Sequence, residues 1–385
     1  MKRKHILLLV ALAASLMLTA CGSKDSTEVS TPTEDSTWET LPTTPAKDTE
    51  AEPEEEPEEV VEESHEGMYR SELTNEWIDE ALKDQRPIAV MVDNEKIALP
   101  HFGLSQADVV YEIMNSTANG RITRFMAIVK DWEKIEQLGS IRSTRPTNFM
   151  LAAEWNAILI HDGGPFYIDQ YLSKDYTNNL SGGFARFSNG KSQEYTEYVT
   201  YDTYNNPSTG KSYDGLKQRL EKSKYSTTYN KHYNGPHFKF SDETIDLSER
   251  SDAINATEIK LPFPHNASTL KYNESTGTYD YYEYGEAHKD AIDGTQLSFT
   301  NVLLQDCTFA QLDEHGYLIY NCIDSGRDGY YITGGKAIPV KWIKAGESDN
   351  TIFLDVTTGE EIVINTGKTY ISLVPSDGWK DMEIN

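Results

Sequence analysis

The chain has 385 residues and a formal net charge of -27, with 62 acidic residues against 35 lysines and arginines. That excess of negative charge argues against general nucleic-acid binding, which needs cations to displace the counterions of phosphate. The length exceeds what one compact core usually needs, so two domains are expected.

The first residues, "MKRKHILLLVALAASLMLTAC", predict an exported protein. Lys2, Arg3 and Lys4 precede an apolar run from Ile6 to Leu18, too short to span a bilayer and of signal-peptide length. "LTAC" resembles a bacterial lipobox, so residues 1–20 are expected to be a cleaved signal peptide and Cys21 the lipidated N-terminus. Acyl chains on Cys21 would hold the protein on the outer face of the cell membrane. Residues 22–66 hold sixteen acidic residues against Lys24 and Lys47. Such a segment buries too little apolar surface to offset its chain entropy, so residues 21–66 are expected to form the lipidated cysteine and a disordered acidic tether.

Over 67–240 strands and helices alternate, which predicts an α/β domain. "SELTNEWIDEALKDQRP" has Leu73, Trp77, Ile78 and Leu82 on one helical face. "PIAVMVDN" is a buried strand, and "ADVVYEIM" and "ITRFMAIV" are two more, joined by a turn containing Asn-Gly. "RPTNFMLAAEWN" is a helix with Pro146 in its first turn, and "AILIHDGG" is a strand followed by glycines. "PFYIDQYL" and "YDGLKQRLEKSK" are further helices. Residues 241–255 are a linker. From 256 to 385, short runs rich in Tyr, Val, Ile and Thr alternate with turn residues, predicting a β-rich domain, a small barrel or sandwich.

Two constellations could carry chemistry. Arg121, Arg124, Arg142 and Arg145 cluster in the first domain, where guanidinium forks suit carboxylate or phosphate. Ser143 and Thr144 would cap the helix that begins at Pro146 and add donors. The alternative is that these arginines pair with Asp93, Glu112, Asp162 or other carboxylates of this acidic chain. In "ILIHDGGP", His161, Asp162, Gly163 and Gly164 stand at the carboxyl end of a strand, where open α/β sheets place ligands. Cys307 and Cys322 fall opposite each other if "QLDEHG" is a turn centred between Glu314 and His315. A disulfide and two buried thiols are both compatible with that register. His288, Asp290 and Asp293 match no metal-ligand spacing and are read as an Asp-stabilised turn. No phosphate loop, dinucleotide fingerprint or nucleophile elbow is present, so no cofactor and no metal are expected.

The motifs "RPIAVMVDN", "LSQADVVYEI", "ITRFMAIV", "EKIEQLGSIRSTRP" and "AILIHDGGP" resemble the N-terminal domain of YerB-like lipoproteins, a Gram-positive family of unassigned function. "GEAHKDAIDGTQLSFTNVLLQ", "DGYYITGGKAIPVKW" and "GEEIVINTGKTYISLVP" resemble its C-terminal domain. The likeness covers most of 86–375. It implies a lipid-anchored, two-domain envelope protein, and Arg124, Arg142, Arg145, His161, Gly163 and Gly164 match the family's motif positions. "NSTANGR" departs from the Glu-Gly-Gly usual at that turn, so no glutamate is available there. The functional expectation is an anionic envelope ligand, bearing phosphate or carboxylate, held by the arginine cluster. An enzyme acting on cell-wall polymers by phosphoryl or glycosyl transfer, and a protein-interaction scaffold using the β domain, are the alternatives. The expected partners are the membrane, through the lipid anchor, and a cell-wall glycan or other anionic envelope ligand, with no nucleic acid.

Overall fold

The computed structural model describes residues 64–385; the expected signal peptide, Cys21 and the tether up to residue 63 lie outside them. Eleven strands form the main sheet. In chain order they are β1 (Ile88–Asp93), β2 (Val109–Met114), β3 (Thr123–Val129), β4 (Ile158–His161), β5 (Asn179–Ser181), β6 (Ile254–Asn255), β7 (Asn301–Cys307), β8 (Asp324–Thr333), β9 (Lys336–Lys344), β10 (Ile352–Asp355) and β11 (Thr369–Pro375). Across the sheet the order is β6, β9, β8, β7, β11, β2, β3, β1, β4, β5, with β10 on the flank of β9.

β1, β2 and β3 are continuous runs of buried residues. Such strands are stable only where both faces are covered. β2 and β3 form the antiparallel hairpin expected around Asn-Gly, with Met114 opposite Thr123. β11 lies parallel to β7 on one side and to β2 on the other. The segments 67–240 and 256–385, drawn as two domains in the sequence, are thus joined through one sheet, and the described residues belong to one compact unit.

A second, six-stranded sheet comes from the C-terminal segment and includes Thr269–Asn273, Thr278–Glu283 and Glu286–Ala287. Tyr279, Tyr281 and Glu283 alternate onto its buried face, as the two-residue period of a strand requires. Tyr281 meets Phe125 of β3 edge to face, so this sheet covers the main one. No sheet closes into a barrel among the described residues, and the fold is strand-rich throughout.

Helix is scarcer than an α/β domain would have. The α-helices among the described residues are Pro146–Glu154, Asp169–Leu172 and Leu216–Ser223. The helix expected over 71–87 does not form. Trp77–Asp79 instead pairs with Met68–Arg70 as a strand, followed by one 3-10 turn. Asn75 adopts a left-handed φ of 59°, which breaks helical geometry at that point, and the Trp77 ring is held by stacking on His65 and by the Arg70 guanidinium.

Candidate functional site

Arg124 leaves β3 opposite Asp93 of β1. Its Nη1 donates to the Ser143 carbonyl at 2.6 Å and to Ser143 Oγ at 3.1 Å. Arg145, not Ser143 or Thr144, occupies the N-cap position of helix Pro146–Glu154; its backbone N–H donates to Asn148 Oδ1 at 2.9 Å. The Arg145 side chain donates from Nη1 to the Thr144 carbonyl at 2.9 Å and from Nε to the Asn115 carbonyl at 3.3 Å. The ring of Tyr317 lies over its guanidinium, 4.6 Å from the central carbon. Thus Arg124 and Arg145 are buried against carbonyls and a ring, and neither forms an ion pair with a carboxylate. Together with Asn115, Asn148 and Tyr320 they line a cavity of about 10 Å³. Burial lowers the Arg124 guanidinium to about 10; the negative charge of Asp93 opposes the fall and the charge of Arg142 adds to it. Burial and then the charge of Arg124 lower Arg145 to about 9. Both remain charged at neutral pH.

The other arginines behave differently. Arg142 forms ion pairs with Asp93, at 2.5 Å, and with Glu194, at 2.9 Å. Arg121 makes a two-pronged contact with Asp377, far along the chain. Asp162 pairs with Arg186, and Glu112 meets no arginine among the described residues. The cluster of four therefore resolves, among the described residues, into two carboxylate-paired arginines and two with no carboxylate in direct contact.

The strand-end residues pack beside this pair. The Asp162 N–H donates to the Arg142 carbonyl, and the Thr144 N–H to the Gly163 carbonyl. Both ring nitrogens of His161 are taken: Nδ1 donates to the Gly163 carbonyl at 2.8 Å, and Nε2 accepts from Asn179 at 3.0 Å. Burial keeps that imidazole neutral. At Gly164 an added Cβ would meet the Ile168 side chain at 2.6 Å and the Thr144 carbonyl at 3.3 Å, so the glycine permits this close packing.

Beneath the arginines lies a polar core that no local motif announces. Glu112 of β2 is fully buried and accepts from Thr123, Ser268, Tyr281 and Tyr370. Burial raises its carboxyl, and these hydroxyls oppose the rise. His101 stands 2.8 Å from His288, and its Nε2 donates to the Asp93 carbonyl at 2.5 Å. Asp293 forms the expected turn contact with the Thr295 N–H. Asp290 does likewise with the Ile292 N–H, and it also accepts from the N–H groups of Gly103 and Ser105.

Cys307 and Cys322 fall in the register expected from the turn, with Phe309 opposite Tyr320. Both are buried free thiols: Cys307 Sγ donates to the Asn321 carbonyl, and Cys322 Sγ lies against Met150.

Residues 73–226 match the family model "Protein of unknown function (DUF3048) N-terminal domain" and residues 259–371 the corresponding C-terminal domain. The chain is 26% identical over 315 residues to "Putative lipoprotein YerB" of Bacillus subtilis, covering 80% of this chain and 86% of that protein. The crystal structure of YerB from the same organism superposes with a TM-score of 0.66 at 22% identity, covering 82% of this chain and 99% of that one. No helix of the described residues is long and apolar enough to cross a membrane.

Proposed function

Because this chain belongs to the YerB-like family of paired DUF3048 domains, we propose that it is a lipid-anchored envelope protein that binds an anionic group through Arg124 and Arg145. One observation carries this reading. Two guanidiniums are buried side by side against one cavity, and among the described residues neither is in direct contact with a carboxylate, Asp93 acting on Arg124 and Asp313 on Arg145 only from a distance. Uncompensated buried charge is costly, and proteins keep it where a charged ligand supplies the missing partner. A phosphate or carboxylate would meet both forks, with Tyr317 displaced from Arg145 to admit it. The present cavity has room for about one water. Binding is favoured over acid–base catalysis because the strand-end imidazole, His161, has both nitrogens occupied.

The test is calorimetric titration of the full chain with inorganic phosphate and with acetate. Saturable binding of either supports the reading. Arg145→Lys should weaken it at least tenfold, since a point charge does not replace a planar fork and a charged hydrogen bond is worth about 1.5–3 kcal/mol. Arg145→Met should abolish binding while leaving the unliganded chain as stable as the parent or more so, by up to about 2 kcal/mol. Undiminished binding by Arg145→Met, or no binding of either anion by the parent, refutes it.

A further inference from the structure

His101, from the loop after β1, converges in the interior with Glu283 and His288, from the two arms of one hairpin. Their ligand atoms all lie within 4.8 Å of one another. None is appreciably exposed: 0% for His101, 2% for Glu283 and 4% for His288. His101 Nδ1 is 2.8 Å from His288 Nε2, and Glu283 Oε1 is 3.6 Å from the same nitrogen. Among the described residues neither carboxylate oxygen of Glu283 has a hydrogen bond of normal length, though the Asn94 side chain is close enough to favour its charge. A buried carboxyl group with neither oxygen satisfied is rare in folded proteins and calls for a missing partner.

We propose that His101, Glu283 and His288 form a binding site for one divalent transition-metal ion of the zinc class. The chemistry of the set fits. Two imidazoles and one carboxylate are a common zinc donor combination. The Asp93 carbonyl can only accept, so His101 Nε2 carries the ring proton and Nδ1 presents its lone pair inward. That arrangement, a ligating histidine donating its far N–H to a carbonyl, is the usual support for a metal-bound imidazole. Donors about 2.0–2.1 Å from a tetrahedral ion stand roughly 3.3 Å apart, so the two rings must part by about half an ångström.

The surrounding backbone holds the ligands near this geometry without the ion. Asp290, two residues beyond His288, accepts from Gly103 and Ser105, just after His101. The Ala291 N–H donates to the His101 carbonyl at 2.8 Å. Glu283 is turned inward by strand alternation behind Tyr279 and Tyr281. The ion would tie the loop after β1 to the hairpin Thr278–Ala287, a cross-link between the two sequence segments. It would also lie one residue from Arg142, because Asp93 contacts His101 through its carbonyl and Arg142 through its carboxylate. The buried ligands imply loading during folding and slow exchange afterwards.

The experiment is metal analysis of the full chain after unfolding with chelator, refolding with zinc alone, and exhaustive dialysis. One zinc per chain is expected. Glu283→Gln, which keeps shape and removes the anionic donor, should retain less than a tenth of that zinc while showing parental circular dichroism. His288→Gln should do the same. Cobalt in place of zinc should give the intense visible absorption of a tetrahedral site in the parent and lose it in either variant. Where a variant fails to fold, parental zinc content and the cobalt spectrum decide. Less than half a zinc per chain in the parent, no tetrahedral cobalt band, or parental metal content in a folded Glu283→Gln variant overturns the proposal.

Discussion

Lys344 Nζ meets Glu154 Oε2 at 2.8 Å with neither side chain exposed. The pair joins the last residue of the helix Pro146–Glu154 to the end of β9, and Tyr111 and Thr351 also donate to the carboxylate. Burial alone would raise the Glu154 carboxyl, but the charge and hydrogen bond of Lys344, with the nearby His237 imidazole, hold it well below the usual range. Removing one partner leaves the other charge stranded. Lys344→Met should cost about 3–5 kcal/mol of unfolding free energy in urea. The double variant Glu154→Gln, Lys344→Met should recover part of that loss, because no buried charge remains. A single-variant cost below about 1 kcal/mol would contradict this account.

The two described cysteines should be unreactive in the folded chain. Burial raises the Cys322 thiol to about 12 and pushes the Cys307 thiol well up. The reactive thiolate is therefore nearly absent at neutral pH. A chromogenic disulfide reagent should react slowly with Cys307 and Cys322 in the folded chain and titrate both in urea without reductant. No titratable thiol in urea would mean that Cys307 and Cys322 are bridged.

Glu283 also fixes a pH dependence for the metal-free chain. Burial, and then the charge of Glu112, raise its carboxyl well above the usual range. The unfolded chain loses that proton near pH 4.3, whereas the folded chain keeps it. The contribution of this group to stability should therefore fall as pH rises above that value, by about 1.4 kcal/mol per pH unit, against the opposite contribution of His101 and His288, whose imidazoles burial lowers. Gln has no such proton. In chelator, the advantage of Glu283→Gln over the parent should grow between pH 5 and 7. A difference in urea midpoint that stays flat with pH would disprove the assignment.

Cys21→Ser should release the chain from the membrane fraction into the soluble fraction. The motivation is the ordered basic, apolar and "LTAC" segments. Membrane retention with unchanged mass would reject Cys21 as the anchor.

The legible parts of the fold were those written locally. β1 to β4 are apolar runs bounded by turn residues, and the β2–β3 hairpin follows from Asn-Gly. The register opposing Cys307 and Cys322 followed from one turn. Local pattern misled at 71–87, where Leu73 and Trp77 have helical spacing but Asn75 reverses the chain. It was silent on tertiary pairing. Nothing near Arg142 in sequence marks Glu194 as its partner, and nothing near Arg121 marks Asp377. His101 and His288 are 187 residues apart, beyond any spacing rule. Glu283 did carry a signal. In "TYDYYE", alternation that buries Tyr279 and Tyr281 must bury Glu283 as well.

β11 occupies Thr369–Pro375, near the end of the chain, yet it lies in the interior of the main sheet between β7 and β2. Until the ribosome has released that strand, β2 and β7 each present an unpaired edge. A nascent or C-terminally shortened chain would carry two adhesive borders at once, the kind that recruit strands from other molecules. The sheet is completed only after its other ten strands have been made, and loss of Thr369–Pro375 would remove more than a surface strand. It would leave β2 and β7 with no strand between them, turning an internal seam into a surface for aggregation.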